Sequence, residues 1–168
     1  MASKDYITHL ELLQRVNYNP ATGIFTWKTC YTKTNKVGAV LGSYDMYGYL
    51  TVRLYKKSYK LHRLAWLYIY GAMPENDIDH INGIRDDNRI INLRDVPRRI
   101  NLQNQRKATK QNKSTGLIGA YFDKDSNKFY SKIQHNRKTI HLGNFDSALN
   151  AHNAYIKAKR NLHEGCMI

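Results

Sequence analysis

Between Ile78 and Asn104 the chain reads I-D-H-I-N-G-I-R-D-D-N-R-I-I-N-L-R-D-V-P-R-R-I-N-L-Q-N. This run restricts the fold more than any other stretch. An adjacent Asp79-His80 pair is flanked by Ile78 and Ile81, which suits a short buried strand. The following N-G-I-R-D-D-N is rich in residues that favour turns and predicts a wide loop. Asn92 lies twelve residues after His80, and Asn101 nine residues further on. Leu93 to Val96 can form a second short strand. Pro97 fits the first turn of a helix, where its missing N–H is not needed. That helix is expected from Arg98 to about Lys107, with Ile100, Asn101 and Asn104 near one another on its surface. The local pattern is therefore strand, loop, strand, helix.

The residue types in this pattern suit the hydrolysis of a phosphodiester. Such a reaction needs a nucleophile, neutralisation of the charge that grows on phosphorus, and stabilisation of the leaving oxygen. A hard divalent cation on oxygen ligands supplies the last two. The Asp79 carboxylate and the Asn101 amide oxygen are ligands of that kind, and they favour Mg²⁺ or Mn²⁺ over zinc or nickel. His80 has an ordinary pKa near neutrality and can take the proton from an attacking water. Neighbouring strand residues point to opposite sides. The pair can therefore flank one phosphate only where the strand twists or ends, and the loop containing Gly83 allows that.

The run D-H-I-N-G-x-x-x-D-N-R-x-x-N-L-R, followed by N-x-x-N on the next helix, resembles the HNH endonuclease family. It is similar to the phage and intron-homing members with Asn at the third motif position. The resemblance implies a ββα-metal finger over about residues 77–107. His80 would be the general base, Asp79 and Asn101 the metal ligands, and Asn92 the residue that braces the loop and holds the histidine. Asn104 matches a second helix asparagine with an accessory role.

A net charge of +14, from 27 Lys and Arg against 13 Asp and Glu, favours a polyanionic partner. Basic residues and the 13 tyrosines are interleaved along the chain. No long amphipathic basic helix points to a membrane surface. A basic ribosomal or packaging protein would share this composition, so charge does not identify the function. Two cysteines, Cys30 and Cys166, stand far apart without C-x-x-C spacing. That supports neither a disulfide scaffold nor a cysteine zinc site, and a reducing compartment is the default. No apolar run suggests a signal peptide or a membrane span, so a cytoplasmic protein is expected. The resemblance adds a phage-encoded origin in a bacterial host.

Ahead of the central run, residues 4–16 show helical spacing of Ile7, Leu10 and Leu13 or Val16. Asn17 to Gly23 reads as a turn, and Ile24 to Lys28 as a strand with Phe25 and Trp27 on one face. Residues 29–46 read as loop. Tyr47 to Leu61 alternates and is expected to fold into a hairpin turning at Lys56-Lys57. His62 then opens an apolar helix, H-R-L-A-W-L-Y-I-Y, closed by Gly71. The layout Y-x-x-x-T-G-x-x-x-W-K, then G-Y-L-T-V, then H-R-L-A-W also resembles the segment preceding the finger in phage HNH nucleases. His62 is expected as a helix-start residue packed near the finger rather than a catalytic one.

From Pro97 to Thr115 six basic residues, Arg98, Arg99, Arg106, Lys107, Lys110 and Lys113, occur without an acidic one. Residues 109–115 read as a basic linker able to track phosphates. Residues 116–165 then form a separate unit. Gly119 to Asp123, Lys128 to Gln134 and Lys138 to Leu142 are expected strands, and Ser147 to Asn161 a helix with a face of Ala148, Ala151, Ala154, Tyr155 and Ala158. Asp146 or Ser147 would cap it. Strand alternation sends Phe129, Ser131 and Ile133 toward the helix, and Tyr130, Lys132 and Gln134 away from it. Ile140 and Leu142 are likewise placed inward, Thr139 and His141 outward.

That order, with G-A-Y, K-F-Y-S-K-I and H-L-G-N-F-D-S-A-L-N-A-H-N-A-Y, resembles the AP2 DNA-binding domain over about fifty residues. Members of that family lay a three-stranded sheet in the major groove. By resemblance, Tyr121, Tyr130, Lys132, Gln134, Thr139 and His141 face the groove. The arginines and tryptophans typical of plant members are largely replaced here, so base preference is not inherited.

Together these readings predict an α+β chain in three parts: an HNH endonuclease domain over 1–108, the linker over 109–115, and an AP2-like domain over 116–165. The expected activity is metal-dependent, site-recognising cleavage of double-stranded DNA, in the manner of a homing enzyme. One metal per active site suggests nicking, so a double-strand cut would need a homodimer or sequential cleavage. The alternative is a sequence-specific DNA-binding regulator that keeps an inactive HNH scaffold. An RNA-binding basic protein has no recognition motif to support it.

Overall fold

A computed structural model describes residues 7–29, 36–109 and 112–168. It has mixed α+β architecture and divides into two compact units, Met1–Pro97 and Arg98–Ile168. Cys30, Lys110 and the first residues of the expected N-terminal helix lie outside the described residues.

In the first unit, helix α1 (His9–Arg15) starts at Thr8 with a capping box. The Thr8 hydroxyl accepts the Glu11 N–H, and the Glu11 carboxylate accepts the Thr8 N–H at 2.9 Å. The chain leaves the helix at Val16 and enters strand β1 (Val16–Asn19), which pairs with β2 (Ile24–Trp27). Asn17 and Tyr18, expected in a turn, are thus in a strand. The reason is packing: Val16 and Tyr18 alternate with exposed Asn17 and Asn19, and the two apolar side chains are buried.

Strands β3 (Ser43–Tyr44), β4 (Leu50–Leu54) and β5 (Lys57–Lys60) form an antiparallel sheet in that order. The hairpin turns at Tyr55 and Lys56, both with positive φ, one residue earlier than expected. Two consecutive left-handed residues match the right-handed twist of the flanking strands. Helix α2 (Leu61–Tyr70) follows and ends at Gly71 in the left-handed conformation. Leu12, Val16, Phe25, Leu61 and Leu64 are at most 1% exposed and form the centre of the core. Strands β6 (Asp77–His80) and β7 (Leu93–Val96) pair antiparallel, with a 3-10 turn at Ile90–Asn92 leading into β7.

The second unit begins with helix α3 (Arg98–Gln103), shorter than the expected run to Lys107. Its end tightens, with Asn104 N–H donating to Asn101 O and Gln105 N–H to Leu102 O. The Lys159 ammonium donates to the Gln105 carbonyl just beyond the helix. Residues 112–117 form turns. There the Asn112 amide donates to both Leu117 O and Ala120 O at 2.9 Å, and the Thr115 hydroxyl donates to Ala120 O.

Strands β8 (Ala120–Asp123), β9 (Lys128–His135) and β10 (Lys138–Phe145) form an antiparallel sheet in the order β10-β9-β8. A register shift between His141 and Gly143 lets β10 continue past the expected end at Leu142. Helix α4 (Ala148–Leu162), capped by the Ser147 side chain, packs against all three strands. Ala151, Ser131 and Ile133 are buried in that layer. Gly119 has φ +75°, and a Cβ there would stand 1.9 Å from Cγ of Tyr155. The Tyr155 ring can pack there only because residue 119 has no side chain.

Lys159 departs from the small-residue face read from the sequence. It is 1% exposed, and burial pushes its pKa below the ordinary value. Among the described residues no helix is long and apolar enough to cross a membrane.

Candidate active site

The site grows from the end of β6. Asp79 pairs in register with Arg94 of β7, and His80 with Leu93. The strand stops at His80, where Gly83 N–H turns back to the His80 carbonyl at 2.8 Å. Asp79 and His80 are 6% and 4% exposed. A buried carboxylate needs a partner, and Asp79 has one: Nε and Nη2 of Arg94 both donate to its Oδ2, at 2.8 and 2.7 Å.

His80 contacts Asn88, its Nε2 lying 3.4 Å from Asn88 Oδ1. The direction of this contact follows the tautomer of the ring. Burial pushes the His80 pKa below its ordinary value, against the opposing pull of Asn88 and the carboxylates of Asp79, Asp87 and Asp86. At neutral pH the imidazole is therefore neutral, the form a proton acceptor requires.

Asn92 ties the loop across its base. Its Oδ1 accepts the Asn82 N–H at 2.9 Å, and its Nδ2 donates to the Asp87 carbonyl at 2.8 Å. Ile81 N–H completes the closure on Asn92 O. Asp87 in turn accepts Asn82 Nδ2 at 2.6 Å and a two-pronged contact from Arg89. The Arg89 guanidinium holds the Asp87 carboxyl down at about 2.

The N-terminal hairpin supports the same loop. Tyr18 Oη donates to Asn88 O at 2.7 Å, and Ile90 N–H reaches Pro20 O. Gly23, with φ +75°, lies so close that a Cβ would stand 2.6 Å from Arg89 N. The T-G of the sequence pattern is thus the place where that hairpin touches the site loop.

His62, second in α2, stands with its ring 5.0 Å from and perpendicular to that of His80. It is 5% exposed, and burial pushes its pKa down to about 3. Sequence reasoning anticipated its place at the helix start. The roles of Asn88, Arg94, Tyr18 and Gly23 were missed. Each lies in a turn or strand whose composition explains it locally, and only chain segments far apart in sequence reveal its contacts.

The remaining expected site residues belong to the second unit. Asn101 lies on α3, and Asn104, 6% exposed, follows the helix and donates its N–H to the Asn101 carbonyl. Arg98, Arg99, Lys107 and Lys113 are exposed, while half-buried Arg106 donates Nη2 to Met167 O. Lys110 is outside the described residues. On the sheet, Tyr121 pairs with Tyr130, Lys132 with His141, and Gln134 with Thr139. Directly paired residues share a face, so all six lie on the face opposite the buried Ser131 and Ile133. Tyr121 and Tyr130 stack at 5.3 Å, and Lys132 Nζ lies over both rings.

Residues 59–103, from within β5 to the end of α3, match the family model described as HNH endonuclease. The match includes Asp79, His80, Asn92 and Asn101. Proteins of that family are generally phosphodiester hydrolases acting on DNA with a divalent metal. Comparison with curated proteins and with solved structures gave no match.

Among the described residues no group of three or more His, Cys, Asp and Glu side chains could enclose a metal ion. The donor set suits a hard cation with few protein ligands. Asp79 offers carboxylate oxygen at the strand end beside His80, and an ion such as Mg²⁺ commonly completes its shell with phosphate oxygens and water.

Proposed function

We propose that the chain is a metal-dependent endonuclease that hydrolyses a phosphodiester bond at a recognised duplex DNA site. The observation that carries this reading is the buried, neutral His80, held by Asn88 next to an oriented carboxylate within the matched residues. The His80 lone pair takes a proton from water, and the water oxygen attacks phosphorus. The P–O bond opposite the attack breaks, and its leaving oxygen is protonated by solvent. Asp79 and Asn101 would hold the divalent cation, Mg²⁺ or Mn²⁺, which neutralises charge on the phosphate and leaving oxygens. Arg94 fixes the carboxylate through its fork, and Asn92 keeps the loop closed so that Asn88 meets the imidazole. Asn104 supports α3 in an accessory role.

In this reading residues 1–108 cut and residues 116–165 bind DNA, with Arg98, Arg99, Arg106, Lys107, Lys110 and Lys113 contacting phosphates. The AP2-like sheet would present Tyr121, Tyr130, Lys132, Gln134, Thr139 and His141 to the major groove. What supports that role is their shared face and its stacked, cation-bearing aromatics. One active site per chain nicks one strand, and a homodimer would cut both. A homing role in a phage genome fits the sequence pattern.

Supercoiled plasmid incubated with the purified protein tests the reading. Conversion to nicked or linear form with Mg²⁺ or Mn²⁺, abolished by EDTA, is expected. Binding to DNA with no conversion under any divalent cation would instead favour a regulator with an inactive scaffold.

A further inference from the structure

A second feature of the first unit lies beside His80 and takes no part in the chemistry above. The Tyr49 ring centroid is 5.9 Å from that of His80 and 5.2 Å from that of His62. Two cations lean on the same tyrosine: Lys60 Nζ at 4.0 Å and the Arg85 guanidinium carbon at 5.2 Å from its centroid. They come from different elements, Lys60 from the end of β5 and Arg85 from the site loop.

The other arginines near the site are engaged with carboxylates, Arg94 with Asp79 and Arg89 with Asp87. Lys60 and Arg85 make no ion pair with a carboxylate among the described residues. Asp87 belongs to Arg89, Asp86 Oδ2 accepts the Tyr44 hydroxyl at 2.7 Å, and Asp45 Oδ1 accepts the Tyr47 and Tyr49 N–H groups. The Tyr49 N–H, and behind it the charges of Lys60 and Arg85, hold the Asp45 carboxyl below its ordinary value, so both cations feel that carboxylate without a direct ion pair. Arg85 spends Nη1 on the Tyr47 carbonyl, which fixes the guanidinium and leaves further N–H donors. The side chain is exposed, and Lys60 is half-buried.

We propose that Lys60 and Arg85, organised by the face of Tyr49, form a phosphate clamp that grips the DNA backbone next to the bond His80 attacks. The chemistry fits a phosphodiester strand. A guanidinium fork matches two phosphate oxygens, an ammonium matches one as a point charge, and an aromatic face holds both cations without neutralising them. Both cations lie over the Tyr49 ring, and that ring stands beside His80, so a strand held by them would be positioned relative to the base. This rests on the nuclease reading for its place in catalysis, whereas phosphate binding itself can be measured without cutting.

Lys60→Gln and Arg85→Gln are compared with the wild-type chain for binding to a random-sequence duplex in EDTA, across a range of salt. Each substitution is expected to lower the slope of log affinity against log salt by about 0.9, and the pair by about 1.8. Tyr49→Phe, which keeps an aromatic face, should retain the slope, and Tyr49→Leu should lose part of it. Unchanged thermal unfolding of the two Gln variants shows that the loss is not of folding. In Mg²⁺, the Gln variants should raise KM for plasmid nicking more than they lower kcat. A wild-type salt slope in both Gln variants overturns the clamp. A reduced slope in the Gln variants, with a wild-type protein that never nicks DNA, keeps the clamp and sinks the nuclease reading.

Discussion

The site of the first unit and the open sheet face of the second treat polar side chains in opposite ways. The first buries His62, Asp79, His80, Asn88 and Asn92, none more than 6% exposed; Asp79 is held by Arg94, Asn88 meets His80, Asn92 ties backbone, and the His62 ring packs on that of His80. The second unit's sheet displays Lys132, Gln134, Thr139 and His141 to solvent and buries Ser131 and Ile133 beneath. A buried polar group is costly unless hydrogen-bonded, so its geometry is fixed by its partners. Such a site is rigid and sensitive to distant changes. An exposed face is cheap to alter, and its interactions weaken with salt.

The largest effect should come from breaking the buried set. Asp79→Ala should reduce metal-stimulated cleavage by at least roughly a hundredfold, because a charged ligand supplies several kcal/mol of stabilisation. Asn101→Ala, removing a neutral ligand, should cost less. Rates measured against Mn²⁺ concentration check the order, and wild-type metal curves for both would remove the proposed ligands.

A smaller loss is expected from Gly23→Ala, although residue 23 touches no substrate. The left-handed conformation alone costs about 1–2 kcal/mol for a residue with Cβ, and the new carbon would push on the backbone of Asn88 and Arg89. Slower cleavage with a lowered melting temperature, at unchanged DNA affinity, is the expected result.

Acid should separate the units more gently. His62 stays neutral in the fold to about pH 3, whereas an unfolded histidine takes a proton near pH 6.5. Stability of the first unit should therefore fall as pH drops from about 6.5 toward 3. Asp87 adds to this at the low end, since its depressed carboxyl stabilises the fold above about pH 4 and ceases to as pH approaches 2. Both tryptophans, Trp27 and Trp66, lie in the first unit, so their fluorescence in thermal unfolding reports on it. His62→Leu should flatten the upper part of the pH profile.

The smallest effect should come from the exposed sheet. Lys132→Gln should lower the salt slope of binding by about 0.9 and leave cleavage at saturating DNA unchanged. A large fall in kcat would mean that the sheet takes part in the chemistry.

The contrast also explains what could be read from sequence. Strand β7, the start of α2 and the extent of α4 were legible, because hydrophobic period and capping residues are local signals. So was the open face of β9, where alternation alone sorts the side chains; on β10, Ile140 was placed inward yet is 38% exposed, and the register shift after His141 breaks the alternation. Asn92 was legible through its spacing from His80. Asn88 was not, since D-D-N reads equally well as a turn, and its contacts with Tyr18 and Gly23 span more than sixty residues. Nor was Lys159, whose burial is made tolerable by the carbonyl of Gln105, which no helical period announces.

The most direct test of the account sets cleavage against binding in His80→Ala. On a supercoiled plasmid in Mg²⁺, nicking should fall by roughly a hundredfold to ten-thousandfold, as expected for loss of a general base. Affinity for the same DNA in EDTA should stay at the wild-type value. Nicking at close to the wild-type rate would contradict the assignment of His80 as the base, and with it the central claim for this site.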